Sequence, residues 1–118
     1  MEIEDLIRSY RDAANEKAAG AEPAARDHAL YNAMCAAWRR LHALGPDGQA
    51  AFRNLLEDES RHVRAWSAAQ LLALGDDTVV PVLEADVTLG GVEGLSSSMV
   101  LREWRAGRLG PPFGRAGA

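Results

Sequence analysis

The amino-acid sequence predicts an all-α domain built from about three antiparallel helix hairpins that stack on one another. Alanine supplies much of the 47% hydrophobic content and aromatic residues make up only 6%, a balance that favours helix over strand. Apolar residues recur every three or four positions, which is the helical period. Glycine and proline interrupt this pattern and divide it into six stretches.

The first two predicted helices are separated by Gly20 and Pro23, which both break a helix. The first helix begins near Ile3 in an acidic turn, whose negative charges complement the positive end of the helix dipole. The second helix ends at Gly45 and Pro46. Its apolar stripe consists of Leu30, Met34, Ala37, Leu41 and Leu44.

The third and fourth helices are predicted between Asp47 and Gly75. Asp47 is expected to cap a short third helix, which the acidic turn 57–59 ends. Ser60 is then expected to cap the fourth helix, Arg61–Leu74, and Gly75 supplies the left-handed residue that closes it. The apolar positions are Phe52, Leu55 and Leu56 in the third helix and Val63, Ala68, Leu71, Leu72 and Leu74 in the fourth.

Asp76, Asp77 and Thr78 are the candidate caps of a predicted fifth helix. A cap at Thr78 places Pro81 in the first turn, where its missing N–H leaves no intrahelical bond unmade. The valines of this segment also suit a strand, but a single strand would leave its backbone groups unpaired. Helix is therefore the preferred prediction.

The sixth helix is predicted to begin near Ser96, after a flexible link that contains Gly90, Gly91 and Gly94. Gly107 ends it, and its inner face is expected to carry Met99, Val100, Leu101 and Trp104. Residues 1–109 are expected to form one helical-repeat domain. The tail 110–118, rich in proline and glycine, is predicted to be disordered.

Short connections between helices favour antiparallel neighbours, and a hairpin of two amphipathic helices covers its apolar face only by stacking on another hairpin. An internal repeat supports such stacking, because Leu41, Leu44 and Gly45 reappear as Leu71, Leu74 and Gly75, 30 residues later. The predicted fold class is therefore a short α-α superhelix of the HEAT/armadillo kind.

Two segments carry a family resemblance. Val63, Arg64, Leu71, Leu74 and Gly75 resemble the second helix of a HEAT repeat. The runs 63–69, 101–105 and 107–109 resemble a bacterial family of small HEAT-like domains, designated domain of unknown function two thousand and nineteen. The resemblance implies a compact α-α arrangement over nearly the whole chain to Leu109. It implies no assigned activity, and no catalytic residue is carried over from it.

Charge and composition limit the compartments and partners to be expected. The net charge of −4 disfavours non-specific attraction to nucleic acid or to an anionic membrane. The acidic N-terminus lacks the features of a signal peptide, and no stretch approaches the roughly 20 apolar residues that span a bilayer. A single cysteine, Cys35, suits a reducing compartment. The simplest interpretation is a bacterial cytoplasmic protein.

No spacing in the sequence demands a particular chemistry. Cys35 and His42 lie seven helical residues apart, about 10 Å along the axis, too far for a thiol and its base. His28, His42 and His62 lack the spacing of zinc ligands, and the acidic turns lack the pattern of a calcium loop. No catalytic residue, metal or cofactor is predicted.

The second helices of the hairpins carry the candidate partner-binding residues. Trp66 is predicted to lie off the apolar stripe, with Gln70 one turn away, so it is either a partner anchor or a residue packed against a neighbouring repeat. Arginine clusters on the same helices are interpreted either as a basic ridge or as salt-bridged surface. The candidate partner-binding residues are Arg40, Trp66, Gln70, Arg102 and Glu103.

These observations favour a non-enzymatic protein-interaction module, with an adaptor or an immunity-type protein that neutralises a toxin as specific forms. The alternative is a HEAT-like domain that binds nucleic acid on a basic concave face, although the net charge disfavours it. The partner is expected to be an unidentified protein. A homodimer is a further alternative, because the end repeats of a short stack leave apolar surface at the edges.

Overall fold

The computed structural model describes residues 1–20 and 22–115, and this part of the chain contains only helices, turns and irregular connections. The prediction of an all-α fold is confirmed. None of these helices has the length and apolar character that crossing a bilayer requires. The α-helices are α1 (Glu2–Ala18), α2 (Ala24–Ala43), α3 (Pro46–Asn54), α4 (Arg61–Ala73), α5 (Val80–Leu89) and α6 (Gly91–Arg105), and two 3₁₀ turns span Leu55–Glu57 and Asp77–Val79.

Neighbouring helices pack on each other at the two ends of the chain, where α1 contacts α2 and α5 contacts α6. The central hairpin is less regular. Helix α3 lies mainly against α2, and its connection to α4 is made through the 3₁₀ turn Leu55–Glu57. Helix α3 is only 9 residues long, which limits the length of helix that it can offer to a neighbour.

Two apolar clusters form the core. The first joins α1, α2 and α3 and includes the fully buried residues Tyr10, Met34, Leu41 and Phe52. The second joins α4, α5 and α6 and includes Ala68, Leu72, Leu83 and Leu101. Helix α4 contributes to both, because Val63 belongs to the first cluster and Ala68 to the second. Helix α4 is therefore the central element that any surface near Trp66 is built on.

The predicted helix ends are partly confirmed. Ser60 caps α4 by accepting a hydrogen bond from the backbone N–H of Val63. Asp47, predicted as a cap, lies in the first turn of α3, and Gly45 with a φ of 83° occupies the capping position instead. Of the three candidate caps at the start of the fifth helical segment, Asp76 is the one that acts, because its carboxylate accepts from the N–H of Thr78.

The prediction that 90–94 is a flexible link is wrong. Helix α6 begins at Gly91, five residues before Ser96, and includes Gly94. Gly94 is buried against α5, where a Cβ atom would lie 3.0 Å from the carbonyl oxygen of Asp86. This glycine therefore permits close packing of α5 on α6 and does not interrupt the helix.

The prediction that the tail is disordered from Gly110 is also wrong for residues 110–115. Phe113 is 1% exposed, and its ring packs in the first cluster against the rings of Tyr10, Tyr31 and Trp66. The free energy gained by burying this aromatic side chain outweighs the conformational entropy lost when the proline- and glycine-rich segment becomes ordered. Residues 116–118, which the same prediction covers, lie outside the described residues.

Replacing Tyr10 with phenylalanine is expected to stabilise the protein by about 1 kcal/mol. The Tyr10 hydroxyl is fully buried, has no hydrogen-bond partner among the described residues, and burial raises its pKa well above the ordinary value. Urea denaturation of both proteins measures the difference. The matched control is Tyr31→Phe, which removes a hydroxyl that donates to the carbonyl oxygen of Pro112 and is expected to destabilise. A destabilised Tyr10→Phe variant would contradict the conclusion that the Tyr10 hydroxyl is buried without a hydrogen-bond partner in the described part of the chain.

Candidate interaction site

Gln70 does not lie on the surface. Its side chain is 0% exposed and holds the C-terminal segment by two hydrogen bonds. Its Nε2 donates to the carbonyl oxygen of Gly114 at 2.9 Å, and its Oε1 accepts from the N–H of Phe113 at 2.8 Å. The prediction that Gln70 contacts a partner is therefore wrong in the folded chain, because residues 113–114 cover this side chain.

Trp66 is largely occupied by packing. Its ring stacks on Phe113 with centroids 5.7 Å apart, Tyr31 lies 6.5 Å away, and the Lys17 ammonium lies 5.8 Å from the ring centre. Most of the Trp66 side chain is therefore packed inside the protein, which was the second of the two predicted alternatives. The remaining part of Trp66 lines a cleft between α4 and α6.

This α4–α6 cleft has a volume of about 300 Å³. Alanine side chains on α4 lie opposite Val100 on α6, and because alanine is small, it leaves space between the two helices. Trp66 and Pro112 line the cleft together with them. Polar groups come mainly from Arg61, His62, Glu93, Ser96 and Ser97. The cleft is therefore an apolar depression with several polar groups, at the lower end of the size range of small-molecule sites.

A buried polar network fixes α6 beside this cleft. The Arg61 Nε donates to Asp86 Oδ1 at 2.7 Å, and the Ser97 hydroxyl donates to Asp86 Oδ2 at 2.6 Å. The Nη2 of Arg61 donates to the backbone carbonyl oxygens of Asp86 and Gly90, which lie at the C-terminal end of α5. Asp86 is 4% exposed and Ser97 is 2% exposed. The network therefore ties α4, α5 and α6 together at one point.

The surface next to the cleft is apolar and exposed. Four large apolar side chains, one at the end of α5 and three on α6, are more than half exposed, and we call them together the α6 stripe. They are Leu89 (61%), Val92 (78%), Leu95 (63%) and Met99 (56%). The segment 85–99 contains two charged residues, Asp86 and Glu93. Asp86 is buried in the network, and Glu93 lies 3.9 Å from Arg61. Depletion of charge around exposed apolar residues is typical of the centre of a protein interface.

Sequence reasoning missed the α6 stripe because it placed the start of the sixth helix at Ser96. With a helix from Gly91, the residues Val92, Leu95 and Met99 follow the spacing i, i+3, i+7 and share one face. Met99 was predicted to face inwards, and its 56% exposure contradicts that prediction. The signal that could have found the stripe is the helical period itself, continued back through Gly94.

The other candidate residues take part in surface ion pairs. Arg40 binds Glu2 of α1 at 2.6 Å, and this hydrogen bond lowers the pKa of the Glu2 carboxyl. Glu103 binds Arg108 at 3.0 Å, which likewise lowers the pKa of Glu103. Arg102 is exposed at the end of α6. Arg40 and Glu103 therefore belong to separate ion pairs, at the α1–α2 hairpin and at the end of α6 respectively.

The arginine clusters do not form a ridge of unpaired cations. Arg61 is held by Asp86, and Arg105 lies 3.9 Å from Glu84. Arg64 donates to the backbone carbonyl oxygens of Asp58 and Glu59 at the preceding turn. The salt-bridged interpretation of these clusters fits the contacts better than the basic ridge does.

The cleft lacks the geometry of an activated nucleophile. The Ser97 hydroxyl is buried and donates to Asp86, whose charge is neutralised by Arg61. His62 lines the cleft, but within the described residues no side chain is hydrogen-bonded to its ring to hold it as a catalytic base. Among residues 1–20 and 22–115, no three His, Cys, Asp or Glu side chains converge in an arrangement that could hold a metal ion.

Comparisons with known proteins give no relative. A scan against protein-family models, a search of curated proteins and a search of solved structures each find no match. The resemblance to a HEAT-like family of unknown function therefore stays a prediction.

Proposed function

We propose that this chain is a non-enzymatic protein-interaction module that binds its partner through the α6 stripe and the α4–α6 cleft. One observation carries the proposal: four large apolar side chains, each more than half exposed, lie beside an apolar cleft in a segment, 85–99, that has only two charged residues. Monomeric proteins rarely expose contiguous apolar patches of this kind without a partner. An adaptor and an immunity-type protein are both specific forms that this surface suits.

The energetics of the stripe are sufficient for specific association. Burying a Val, Leu or Met side chain completely contributes roughly 1.5–3 kcal/mol, so each half-exposed member of the stripe contributes on the order of 1 kcal/mol when covered. The cleft adds a depression in which a partner side chain is desolvated, which is where interface hot spots occur. Loss of translational and rotational freedom offsets part of this gain. A moderate affinity, rather than permanent assembly, is the expected result.

The proposed partner surface is an amphipathic helix of another protein. Helix α6 has 15 residues and is therefore about 22 Å long, which matches the apolar face of a helix of about four turns. One large apolar side chain of that helix would enter the cleft, and others would cover the stripe, as in helix-in-groove recognition.

The proposal includes a HEAT/armadillo-like superhelix as the arrangement of the helices. Packed helix pairs at both ends of the chain support it, while the irregular central pair weighs against it. A bacterial cytoplasmic setting agrees with the single cysteine and with the absence of a membrane-spanning helix in the described part of the chain. Paired arginines and a net charge of −4 weigh against nucleic-acid binding.

The test is site-specific crosslinking in cells that produce the chain. A photoreactive benzoyl-phenylalanine at Leu95 is expected to form an adduct with one particular protein, whereas the same group at exposed Arg8 on α1 is not. Adding Val92→Asp is expected to reduce the adduct about tenfold or more, because an unpaired carboxylate would be buried in the interface. Equal adduct patterns at Leu95 and Arg8 would contradict the proposal. An adduct between two copies of this chain would assign the surface to a homodimer instead.

A further inference from the structure

The C-terminal segment occupies a socket in the manner of a bound peptide. Phe113 inserts between three aromatic rings, with centroid distances of 5.5 Å to Tyr10, 6.2 Å to Tyr31 and 5.7 Å to Trp66. The rings of Tyr10 and Phe113 meet edge to face, and Trp66 stacks on Phe113. An aromatic side chain of the segment is therefore held by aromatic side chains of α1, α2 and α4.

The backbone of the segment is recognised as well. The Gln70 amide accepts from the N–H of Phe113 and donates to the carbonyl oxygen of Gly114. The Tyr31 hydroxyl donates to the carbonyl oxygen of Pro112. The segment forms a turn, closed by a hydrogen bond from the N–H of Gly114 to the carbonyl oxygen of Pro111, and the two prolines restrict it before binding. Three consecutive residues are thus held through backbone groups, so any peptide that forms the same turn can make these contacts.

The connection from α6 to the socket is short and contains glycine. Gly107 has a φ of 74°, and a Cβ atom at Gly110 would meet no atom within 4 Å. These positions can change direction at little steric cost. The contacts of residues 111–114 with the socket would be identical if the segment came from another molecule, which is the condition for exchange of an element between copies.

We propose that the socket formed by Tyr10, Tyr31, Trp66 and Gln70 is a peptide-binding site for Pro-Phe-Gly segments in a β-turn, and that the C-terminal segment of a second copy can occupy it. In one molecule the segment is tethered beside its socket at an effective concentration of order millimolar, so it outcompetes a second copy in dilute solution. This site does not include the α6 stripe, although it adjoins the α4–α6 cleft, which Trp66 and Pro112 also line.

The direct test uses the full-length chain with Phe113→Ala, whose own segment no longer fills the socket. The probe is a fluorescent peptide that spans residues 109–115, and binding is followed by fluorescence anisotropy after circular dichroism has verified folding. We expect saturable binding to this variant and binding at least about tenfold weaker to the wild-type chain, whose own segment competes. A peptide that carries Phe113→Ala is expected to bind roughly 100-fold more weakly than the parent peptide.

Matched variants separate recognition from general effects. Gln70→Ala in the Phe113→Ala background is expected to weaken binding of the peptide about tenfold, since two hydrogen bonds are lost. Gln49→Ala, whose amide donates to the His42 carbonyl oxygen on the exposed surface, is expected to leave it unchanged. Leu95→Asp is expected to leave it unchanged as well, so failure of this site and failure of the α6 interaction are distinguishable.

Exchange between copies is tested by mixing two full-length proteins, Phe113→Ala and Gln70→Ala, which supply an accessible socket and an intact segment respectively. Sedimentation velocity is expected to show a dimer in the mixture and monomers in each protein alone. If the Phe113→Ala chain does not fold, Phe113→Leu retains apolar contact and is expected to bind the peptide several-fold better than the wild type. The proposal would be overturned if a folded variant did not bind the parent peptide, or bound it as weakly as it binds the peptide that carries Phe113→Ala. A mixture that stays monomeric would overturn the inference that a second copy supplies the segment.

Discussion

Replacing Gly48 with alanine is expected to destabilise the protein by about 3 kcal/mol or more. Gly48 is buried in α3 where this helix crosses α2, and a Cβ atom there would lie 2.0 Å from the carbonyl oxygen of Leu41 and 2.9 Å from its carbonyl carbon. Both atoms belong to the backbone of α2, so rotation of a side chain cannot relieve the clash. The two helices would have to separate, which would open the first apolar cluster around Leu41 and Phe52.

Urea denaturation measures this effect through the free energy of unfolding. The matched control is Gly110→Ala, because Gly110 has no atom within 4 Å of the added Cβ position and its φ lies outside the left-handed region. The control is expected to change the free energy of unfolding by no more than about 0.5 kcal/mol. Similar stabilities of the two variants would show that α3 does not pack on α2 through this glycine.

The all-α fold and most helix ends were predictable because local signals determine them. The apolar period located α1, α2 and α4, and Ser60 marked the start of α4 through a hydrogen bond that depends only on neighbouring residues. Gly94 shows where such reasoning fails. A glycine inside a periodic segment reads as a break, yet here the missing side chain permits contact with α5, which is a tertiary reason that the local sequence does not contain.

The candidate site was predictable only in part, for a related reason. Trp66 and Gln70 were identified together on α4, and both contact the C-terminal segment of the same chain. Its occupant, Phe113, lies more than 40 residues along the chain in a segment whose composition suggested disorder. Contacts between residues so far apart leave no periodic signal. The burial of Phe113 reverses the expectation for residues 110–115 and leaves the α6 stripe as the surface available to a partner.

Replacing Asp86 with alanine is expected to destabilise the protein by about 2–3 kcal/mol. The variant leaves the Arg61 guanidinium and the Ser97 hydroxyl without their shared acceptor in a largely buried setting. The expected loss lies below that of a completely buried pair because the Arg61 side chain is 24% exposed and retains contact with water and with Glu93. Asp86→Asn retains an oxygen for one of the two donors and is expected to lose about half as much.

A double-mutant cycle with Arg61→Ala separates the ion pair from the packing of Asp86 itself, and a coupling energy of about 1–2 kcal/mol is expected because the two side chains are in direct contact. The same variants connect the fold to the proposed interaction. Since Arg61 joins α4 to the end of α5, its release is expected to alter the α4–α6 cleft and to weaken partner binding in variants that remain folded. A coupling energy near zero would mean that α6 is positioned by its apolar contacts alone, and the cleft would then have to be stabilised by Leu83 and Leu101 rather than by this network.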